Sequence, residues 1–221
     1  MDPEHTRHLA DAQRRHWQST YTANPRMYGL EPSAPAVYAA TRFRESGVTT
    51  VLELGAGHGR DSLYFARQGF AVLATDFSVV ALRQLRETAR EGSRDSRILP
   101  VVHDVREPLP LRTAAVGAAY AHMLLSMALS TLEIQTVVAE VGRVLRPGGT
   151  FVYTVRHTDD AHYGTGTPHG DDIWEQGGFA VHFFSRALVE TLAAGWTLDE
   201  IAPFEEGDLP RRLWRVTQTR A

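Results

Sequence analysis

"VLELGAGHGRDSLYFARQGFAVLATDFS" (residues 51–78) places three glycines at alternate positions between two apolar runs. Gly55, Gly57 and Gly59 lack a Cβ, so the backbone there can adopt a positive φ or approach a ligand closely. A helix predicted to begin near Asp61 adds amide N–H groups that have no partner within the helix. A strand, a glycine loop and a helix in this order are typical of a site for a nucleotide-like cofactor.

The alternation of strands and helices continues on both sides of this stretch. Short β-rich apolar runs predict strands, and the amphipathic runs between them predict helices. We therefore expect an α/β fold with a doubly wound, Rossmann-like sheet of seven strands, mostly parallel with a C-terminal antiparallel hairpin. The predicted strands are 49–54, 70–75, 97–103, 116–123, 150–156, 196–204 and 213–219, and the predicted helices are 5–21, 33–46, 61–68, 79–91, 132–145 and 186–194.

The length of 221 residues suits one sizeable hydrophobic core, and we expect a single domain. Four parts can be distinguished within it. They are an N-terminal helical lid (1–47), a cofactor-binding core (48–156), a substrate loop (157–184), and a C-terminal helix and hairpin (185–221). Long loops in compact domains often serve as lids or binding segments, which is why we assign the substrate to the third part.

Composition excludes several classes of chemistry. There is no cysteine, so disulfides, zinc–thiolate sites and thiol nucleophiles are excluded. All 23 basic residues are arginine, which excludes a Schiff-base lysine and a P-loop and suggests a GC-rich bacterial genome. The net charge is −3 and no basic stripe dominates the sequence, so we do not expect nucleic acid as a partner. No apolar run is long enough for a membrane helix and no secretory signal begins the chain, so we expect a cytoplasmic protein without membrane contact.

Acidic side chains follow the predicted strands. Because parallel strands carry ligands at their carboxyl ends, we expect these side chains to meet at one edge of the sheet. Asp76 is placed to accept hydrogen bonds from the hydroxyls of a ribose, and Asp104 to accept one from an adenine amino group, with Val105 stacking on the ring. Glu53 lies where a ligand ammonium or a loop amide would sit. An Asp before a helix is also commonly only an N-cap, which is the alternative role for Asp76.

Two cofactors compete for the glycine loop. The NAD fingerprint is G-x-G-x-x-G, but Arg60 stands where its third glycine should be, which weakens the NAD interpretation without removing it. Several acids with no dedicated phosphate-binding base suit a cationic, phosphate-free nucleoside. S-adenosylmethionine (SAM), with its sulfonium and ammonium groups, meets that description, and S-adenosylhomocysteine would be its product.

The stretches "VLELGAGHGRDS", "VLATDFS", "HDV" and "LRPGGTFVYTV" together resemble the class I SAM-dependent methyltransferases, over about residues 51–156. Within that family the chain is similar to the small tellurite-resistance/thiopurine-type methyltransferases, through its "MYG" segment and its tail "FEEGDLPRR". The resemblance implies a cofactor site formed by Tyr21, Tyr28, Glu53, Gly55, Ala56, Gly57, Gly59, Asp76, Phe77, Ser78, Asp104, Val105, His122 and Met123.

The acceptor site is harder to predict, because the His-rich region after the fifth strand departs from the subgroup. A hydroxyl or ammonium acceptor needs a base, and histidine titrates in the useful range. The catalytic candidates are His122, His157 and His162, and the substrate candidates are Arg156, Tyr163, His182 and Arg211. The spacing of His and Asp in 157–184 fits no standard metal motif, and no metal is predicted. Arg211 has a second interpretation, as a solvated charge that guards a sheet edge.

We therefore expect in-line methyl transfer to a small-molecule acceptor, whose reacting atom the sequence leaves open, as it does the oligomeric state. One alternative is a protein that binds SAM for regulation, for non-methyl alkyl transfer or for cyclisation. An NAD-dependent oxidoreductase is the second alternative. The sequence disfavours it because of Arg60 and because NAD-binding domains generally lack the C-terminal hairpin.

Overall fold

A computed structural model describes residues 3–25, 27–92, 95–207 and 211–221. The helices are α1 (Pro3–Ala23), α2 (Ala34–Glu45), α3 (Arg60–Arg67), α4 (Val79–Glu91), α5 (Thr131–Val144) and α6 (Arg186–Leu192). The strands are β1 (Thr50–Leu54), β2 (Ala71–Asp76), β3 (Ile98–Val102), β4 (Val116–His122), β5 (Leu145–Arg156), β6 (Thr167–Gly170), β7 (Ile173–Gln176), β8 (Phe179–His182), β9 (Trp196–Glu206) and β10 (Arg211–Arg220).

Seven of these strands form the central sheet, in the order β3-β2-β1-β4-β5-β10-β9. The first five strands in this order are parallel, and β10 runs antiparallel to both β5 and β9. The predicted fold class is confirmed, including the C-terminal hairpin. The carboxyl ends of β1, β2 and β4 share one edge, and the strand order reverses between β1 and β4, where such sheets bind ligands.

Helices cover both faces of the sheet because β1 alternates its side chains between two cores. Val51 packs with the buried residues of α2, α3 and α4, whereas Leu52 packs with those of α5 and α6. Both Val51 and Leu52 are fully buried. The near-continuous apolar run of β1 therefore reflects a strand that is buried on both faces.

Serine side chains set the start of four helices. Ser33, Ser78, Ser130 and Ser185 each accept a hydrogen bond from a backbone amide in the first turn of α2, α4, α5 and α6, respectively. Ser130 also forms a capping box with Glu133. A capped first turn satisfies an amide that would otherwise lack a partner, which explains why the predicted helix starts lie within one residue of the observed ones.

Within the region predicted as a long loop (157–184), residues 167–182 form a separate three-stranded sheet, so the prediction of irregular structure there is wrong. Strands β6, β7 and β8 pair antiparallel, away from the central sheet. Ile173 and Ala180 of this small sheet pack on Leu9 of α1. Its strands have only four residues each, with glycines and aspartates between them, so no alternating pattern could stand out in the sequence. None of the described helices has the length and apolarity needed to cross a bilayer.

Candidate functional site

The glycine loop connects β1 to α3 at the carboxyl edge of the sheet. Gly55, Gly57 and Gly59 have φ of 68°, 56° and 88°, in the left-handed region that glycine adopts without strain. A Cβ on Gly57 would lie 2.7 Å from the hydroxyl oxygen of Tyr21, and a Cβ on Gly59 would lie 2.1 Å from Cδ1 of Leu85. Gly57 therefore keeps the loop open toward a cavity, while Gly59 lets α4 pack against the start of α3.

That cavity has a volume of about 850 Å³, including its open mouth. Its floor is the glycine loop and the ends of β1, β2 and β4. Its other walls come from α1, from the segment after α1, and from the adjacent ends of β9 and β10 at Glu206 and Arg211. The lining residues are Trp17, Tyr21, Tyr28, Glu53, Gly55, Ala56, Gly57, His58, Arg60, Asp61, Asp76, Phe77, His122, Met123, Leu124, Met127, Glu206 and Arg211.

Asp76 organises the loop from the end of β2. One of its carboxylate oxygens accepts from the backbone N–H of Gly57 at 2.8 Å, and the other accepts from the N–H of Ser78 at 2.8 Å. Burial raises the pKa of Asp76 to about 6, although both hydrogen bonds oppose the rise. Each carboxylate oxygen has a further lone pair, so Asp76 can hold the loop and still accept from a ligand hydroxyl.

Glu53 and Asp61 form a buried acidic pair beneath the loop. The hydroxyl of Ser62 donates to Glu53, and burial together with the charge of Asp61 holds the pKa of Glu53 well above its usual range. Asp61 accepts from the amide and the hydroxyl of Ser33, at 2.8 and 2.7 Å, and from Tyr120 at 3.2 Å. Asp61 is thus held by structural hydrogen bonds, and both Glu53 and Asp61 line the cavity.

A second, smaller cavity continues from the first toward β3. Its volume is about 420 Å³, and it shares Trp17, Phe77, Leu124 and Met127 with the first cavity before reaching Asp104 and Val105. Asp104 accepts two side-chain hydrogen bonds from Arg106, at 3.0 and 2.8 Å, and forms an ion pair with Arg14 of α1. Partial burial would raise the pKa of Asp104, but the hydrogen bonds and charges of these arginines hold it below its ordinary value.

The opposite end of the main cavity carries a group of polar side chains that we call the acceptor end: Tyr28, Arg60, His122, Glu206 and Arg211. Nδ1 of His122 lies 2.9 Å from the hydroxyl of Thr154, and Nε2 lies 3.1 Å from a carboxylate oxygen of Glu206. The other oxygen of Glu206 lies 3.7 Å from Arg60, whose guanidinium stacks over the Tyr28 ring at 5.7 Å. The adjacent ends of β9 and β10, the glycine loop and the segment after α1 therefore converge on one spot.

Most of the predicted cofactor residues come together here. Gly59 and Ser78 line neither cavity, because Gly59 packs on Leu85 and Ser78 caps α4 and donates to Gln18 of α1. The predicted cofactor residues that do line one or both cavities are Tyr21, Tyr28, Glu53, Gly55, Ala56, Gly57, Asp76, Phe77, Asp104, Val105, His122 and Met123.

Two of the three predicted catalytic histidines lie away from the cavity. His157 is buried and stacks on Trp214 with ring centroids 4.6 Å apart, and burial lowers its pKa. His162 lies at the surface with Nδ1 2.6 Å from Arg156. Both follow β5, but the chain turns outward there, so these side chains point to the hairpin and to the small sheet. The structure brings only His122 to the site.

The predicted substrate residues divide in the same way. Arg211 lines the acceptor end. Arg156 is buried in a two-pronged ion pair with Asp160, under the ring of Phe183. The hydroxyl of Tyr163 donates to Asp172 at 2.8 Å. His182 is buried with Nδ1 2.7 Å from the carbonyl oxygen of Leu129. These last three predicted residues hold the region after β5 together and do not line the cavity.

Sequence reasoning missed two charged residues at the acceptor end. Arg60 enters the sequence analysis only as a departure from the NAD fingerprint, although a charged residue beside a glycine loop also indicates a possible ligand contact. Glu206 stood in the tail "FEEGDLPRR" without any assigned role. Its importance comes from pairing across the fold with His122. Across the described ranges, no three His, Cys, Asp or Glu side chains are grouped as metal ligands would be.

Comparison with known proteins agrees with this geometry. Residues 51–149 match a family model described as a methyltransferase domain. No functionally curated protein matches the chain. A 1,6-didemethyltoxoflavin-N1-methyltransferase from Burkholderia thailandensis, solved with 1,6-didemethyltoxoflavin and S-adenosylhomocysteine, is 21% identical with a TM-score of 0.75, covering 100% of this chain and 91% of that chain.

Two further solved structures share the fold. The CcbJ methyltransferase from Streptomyces caelestis is 22% identical with a TM-score of 0.68, covering 86% of this chain and 97% of that chain. TehB from Haemophilus influenzae is 14% identical with a TM-score of 0.67, covering 86% of this chain and 62% of that chain. At such identities these structures establish a common fold.

Proposed function

We propose that the chain is a class I SAM-dependent methyltransferase, as the methyltransferase domain model matched over residues 51–149 supports, and that it methylates a small molecule bound at the acceptor end, beside His122. The observation that carries the proposal is the convergence of His122, Glu206 and Arg211 at one end of a cavity whose other end is lined by the glycine loop and Asp76. A cofactor pocket and a separate polar pocket thus share one cavity.

The residues at the cofactor end fit SAM. Gly57 leaves open the space below Tyr21, Asp76 has lone pairs to spare for ribose hydroxyls, and Glu53 supplies a carboxyl group near a ligand ammonium. Asp104 and Val105 would meet the adenine in the smaller cavity. When bound, SAM supplies a methyl carbon made electrophilic by its sulfonium. The lining carries four carboxyl groups (Glu53, Asp61, Asp76 and Glu206) against two arginines (Arg60 and Arg211), and this excess of acids suits a cationic nucleoside better than a pyrophosphate.

The acceptor end supports a small acceptor rather than a polymer. Tyr28, Glu206 and Arg211 line the space beside His122, so an acceptor there would lie in a concave site rather than on an open surface. Arg211 lines it, and within the described part of the chain its guanidinium has no carboxylate at ion-pair distance. It is thus available to an anionic group of the acceptor. Holding acceptor and methyl donor side by side in one cavity lowers the entropic part of the barrier.

Calorimetric titration of the purified protein with S-adenosylhomocysteine, with NADH as control, tests the cofactor assignment. We expect micromolar affinity for S-adenosylhomocysteine alone. Asp76→Ala should reduce that affinity at least a hundredfold, since it removes the loop anchor and a ligand acceptor. Asp199→Ala is the matched control, because Asp199 hydrogen-bonds Thr219 at the far edge of the sheet. NADH binding, or unchanged affinity in Asp76→Ala, would contradict the assignment.

Incubation with SAM carrying a labelled methyl group and a panel of hydroxyl, amine and heterocyclic acceptors then tests the reaction. We expect label in an acceptor and S-adenosylhomocysteine in equal amount. Formation of methylthioadenosine would instead indicate alkyl transfer of the remaining side chain.

A further inference from the structure

We infer that Glu206 is a catalytic residue: its carboxylate, which lies 3.1 Å from Nε2 of His122, accepts the proton of an acceptor whose nucleophilic oxygen or nitrogen is protonated. The inference rests on the proposed function and refines it. It names the class of acceptor, a neutral hydroxyl, a ring N–H or a protonated amine. It also assigns the role of general base to Glu206 and not to His122.

The argument begins at Thr154. Its hydroxyl oxygen accepts the backbone N–H of Met123 at 2.9 Å and lies 2.9 Å from Nδ1 of His122. Thr154 is completely buried. Among the described residues Nδ1 is the one acceptor to which this hydroxyl can give its own proton. A buried hydroxyl that leaves its proton without an acceptor costs free energy, so the hydroxyl donates to Nδ1.

This hydrogen bond fixes the tautomer of His122. With Nδ1 acting as an acceptor, the proton of the neutral ring is on Nε2, and Nε2 faces the carboxylate of Glu206 at 3.1 Å. The opposite tautomer would place the Nε2 lone pair against that carboxylate. Nδ1 is therefore occupied by the Thr154 hydroxyl and Nε2 carries the ring proton, so the neutral ring has no free lone pair with which to accept a proton.

Glu206, in contrast, can accept a proton. Burial opposes its ionisation, but the neighbouring His122 and the charges of Arg60 and Arg211 hold the pKa of Glu206 below its ordinary value. Only one oxygen contacts His122. The other lies 3.7 Å from Arg60, beyond hydrogen-bond distance, and both belong to a residue that lines the cavity.

The proton balance follows from this arrangement. As the acceptor oxygen or nitrogen forms its bond to the methyl carbon, the bond from that carbon to sulfur breaks and its electron pair stays on sulfur. The proton of the acceptor passes to a carboxylate oxygen of Glu206, while His122 keeps its own proton on Nε2. Glu206 then releases the proton to solvent at the cavity mouth. An acceptor that is already an anion would have no use for this group.

The first test reads the tautomer without any acceptor. ¹⁵N NMR of histidine-labelled protein with saturating S-adenosylhomocysteine, above the pH at which the histidines titrate, should show His122 with its proton on Nε2. Loss of the signal in His122→Gln assigns it. Glu206→Gln should move the Nε2 resonance, and Glu205→Gln should not, because Glu205 lies on the same strand but pairs with exposed Arg212. A proton on Nδ1 would overturn the inference.

The second test compares variants with an acceptor taken from the panel. Glu206→Gln should lower kcat by roughly a hundredfold or more, the usual range for loss of a general base. His122→Gln keeps an N–H for Glu206 and should lose less. The reverse order, with His122→Gln the more damaging, would overturn the inference. Unchanged affinity of Glu206→Gln for S-adenosylhomocysteine serves as the control for folding. Failure of the proposed function is distinguishable, because wild type would then either not bind S-adenosylhomocysteine or methylate no acceptor of the panel, whereas the inference fails on the variants of an active wild type.

Discussion

Gly57 is the residue at which the cofactor end of the cavity is most sensitive to added volume. Its φ of 56° and the 2.7 Å separation between a hypothetical Cβ and the Tyr21 hydroxyl oxygen mean that Gly57→Ala must displace Tyr21 or the loop. Tyr21 is buried and lines the cavity. We expect Gly57→Ala to weaken binding of S-adenosylhomocysteine at least tenfold, measured by calorimetric titration.

Gly69→Ala provides the matched control for that substitution. Gly69 has a φ of 94°, but a Cβ there would meet nothing within 4 Å. Both variants carry the strain of an L-residue in the left-handed region, about 1–2 kcal/mol. Only Gly57→Ala also meets Tyr21, so the difference in ligand affinity isolates that contact. Equal affinities of the two variants would contradict the role of Gly57.

The sequence predicted the positions of site residues that follow β1, β2 and β3 better than those of site residues contributed by distant parts of the chain. Glu53, Asp76 and Asp104 follow strands, and strand ends in a parallel sheet share one edge, so their placement could be read from spacing. Glu206 could not, because its pairing with His122 depends on where the adjacent ends of β9 and β10 lie. His157 was assigned by the same strand-end logic, but its ring turns to stack on Trp214 instead.

Among the secondary-structure elements, α1 is held on one side by the small sheet. The small sheet holds α1 through Gln13, which donates to the carbonyl of Gly178 at 2.8 Å, and through Phe179, which packs on His16 and Trp17 at 4.2 and 5.2 Å between ring centroids. Trp17 and Tyr21 of the same helix line the cavity. The residues predicted as a substrate loop therefore act on the site indirectly, by positioning one of its walls.

Phe179→Ala tests this dependence. Removing the ring deletes two aromatic contacts that hold α1, and each such pair contributes about 0.5–1.5 kcal/mol. We expect affinity for S-adenosylhomocysteine to fall about tenfold and amide hydrogen exchange in α1 to accelerate, with the core strands unchanged. Hydrogen exchange followed by mass spectrometry measures both regions in one experiment.

Trp174→Ala is the control for that variant, because Trp174 lies in the same small sheet and packs on Tyr163. It should leave exchange in α1 and the affinity for S-adenosylhomocysteine unchanged. Faster α1 exchange in Trp174→Ala than in Phe179→Ala would show that any loss from the small sheet loosens the helix, contrary to a specific role for Phe179.

The elements themselves were predictable where local signals agreed. Serine caps and terminal glycines marked the ends of α2 and α4, and β-rich apolar runs marked β1 and β2, so local propensity and tertiary packing give the same answer. The small sheet lacked such agreement. Each of its strands is stabilised by pairing with the next and by packing on Leu9 of α1, and neither contact is visible in a window of a few residues.

For the whole molecule, the buried charges determine how stability responds to pH. Burial raises the pKa of Glu53 and Asp76, whereas hydrogen bonds and ion pairs outweigh burial and lower the pKa of Asp104, Asp160 and Glu206. The two groups act in opposite directions. Carboxyls with lowered pKa lose stabilisation as the pH falls, while those with raised pKa destabilise the fold as the pH rises.

Asp76→Asn separates these contributions. The folded chain binds a proton at Asp76 below a pH of about 6, whereas the unfolded chain binds one only near the ordinary value of 3.8. Between these values the folded state holds more protons, so the contribution of Asp76 to stability falls as the pH rises from 4 to 7. We expect the free energy of unfolding of Asp76→Asn, relative to wild type, to rise by roughly 2 kcal/mol from pH 4.5 to pH 7.

Urea denaturation of both proteins at the two pH values, without cofactor, measures this difference. Any hydrogen bond that the asparagine fails to make to Gly57 or Ser78 adds a constant that cancels between the pH values. The groups with lowered pKa are present in both proteins and cancel as well. Parallel pH dependences for wild type and Asp76→Asn would mean that Asp76 is ionised in the folded chain as easily as in water. A relative stability that falls as the pH rises would mean that its hydrogen bonds outweigh its burial.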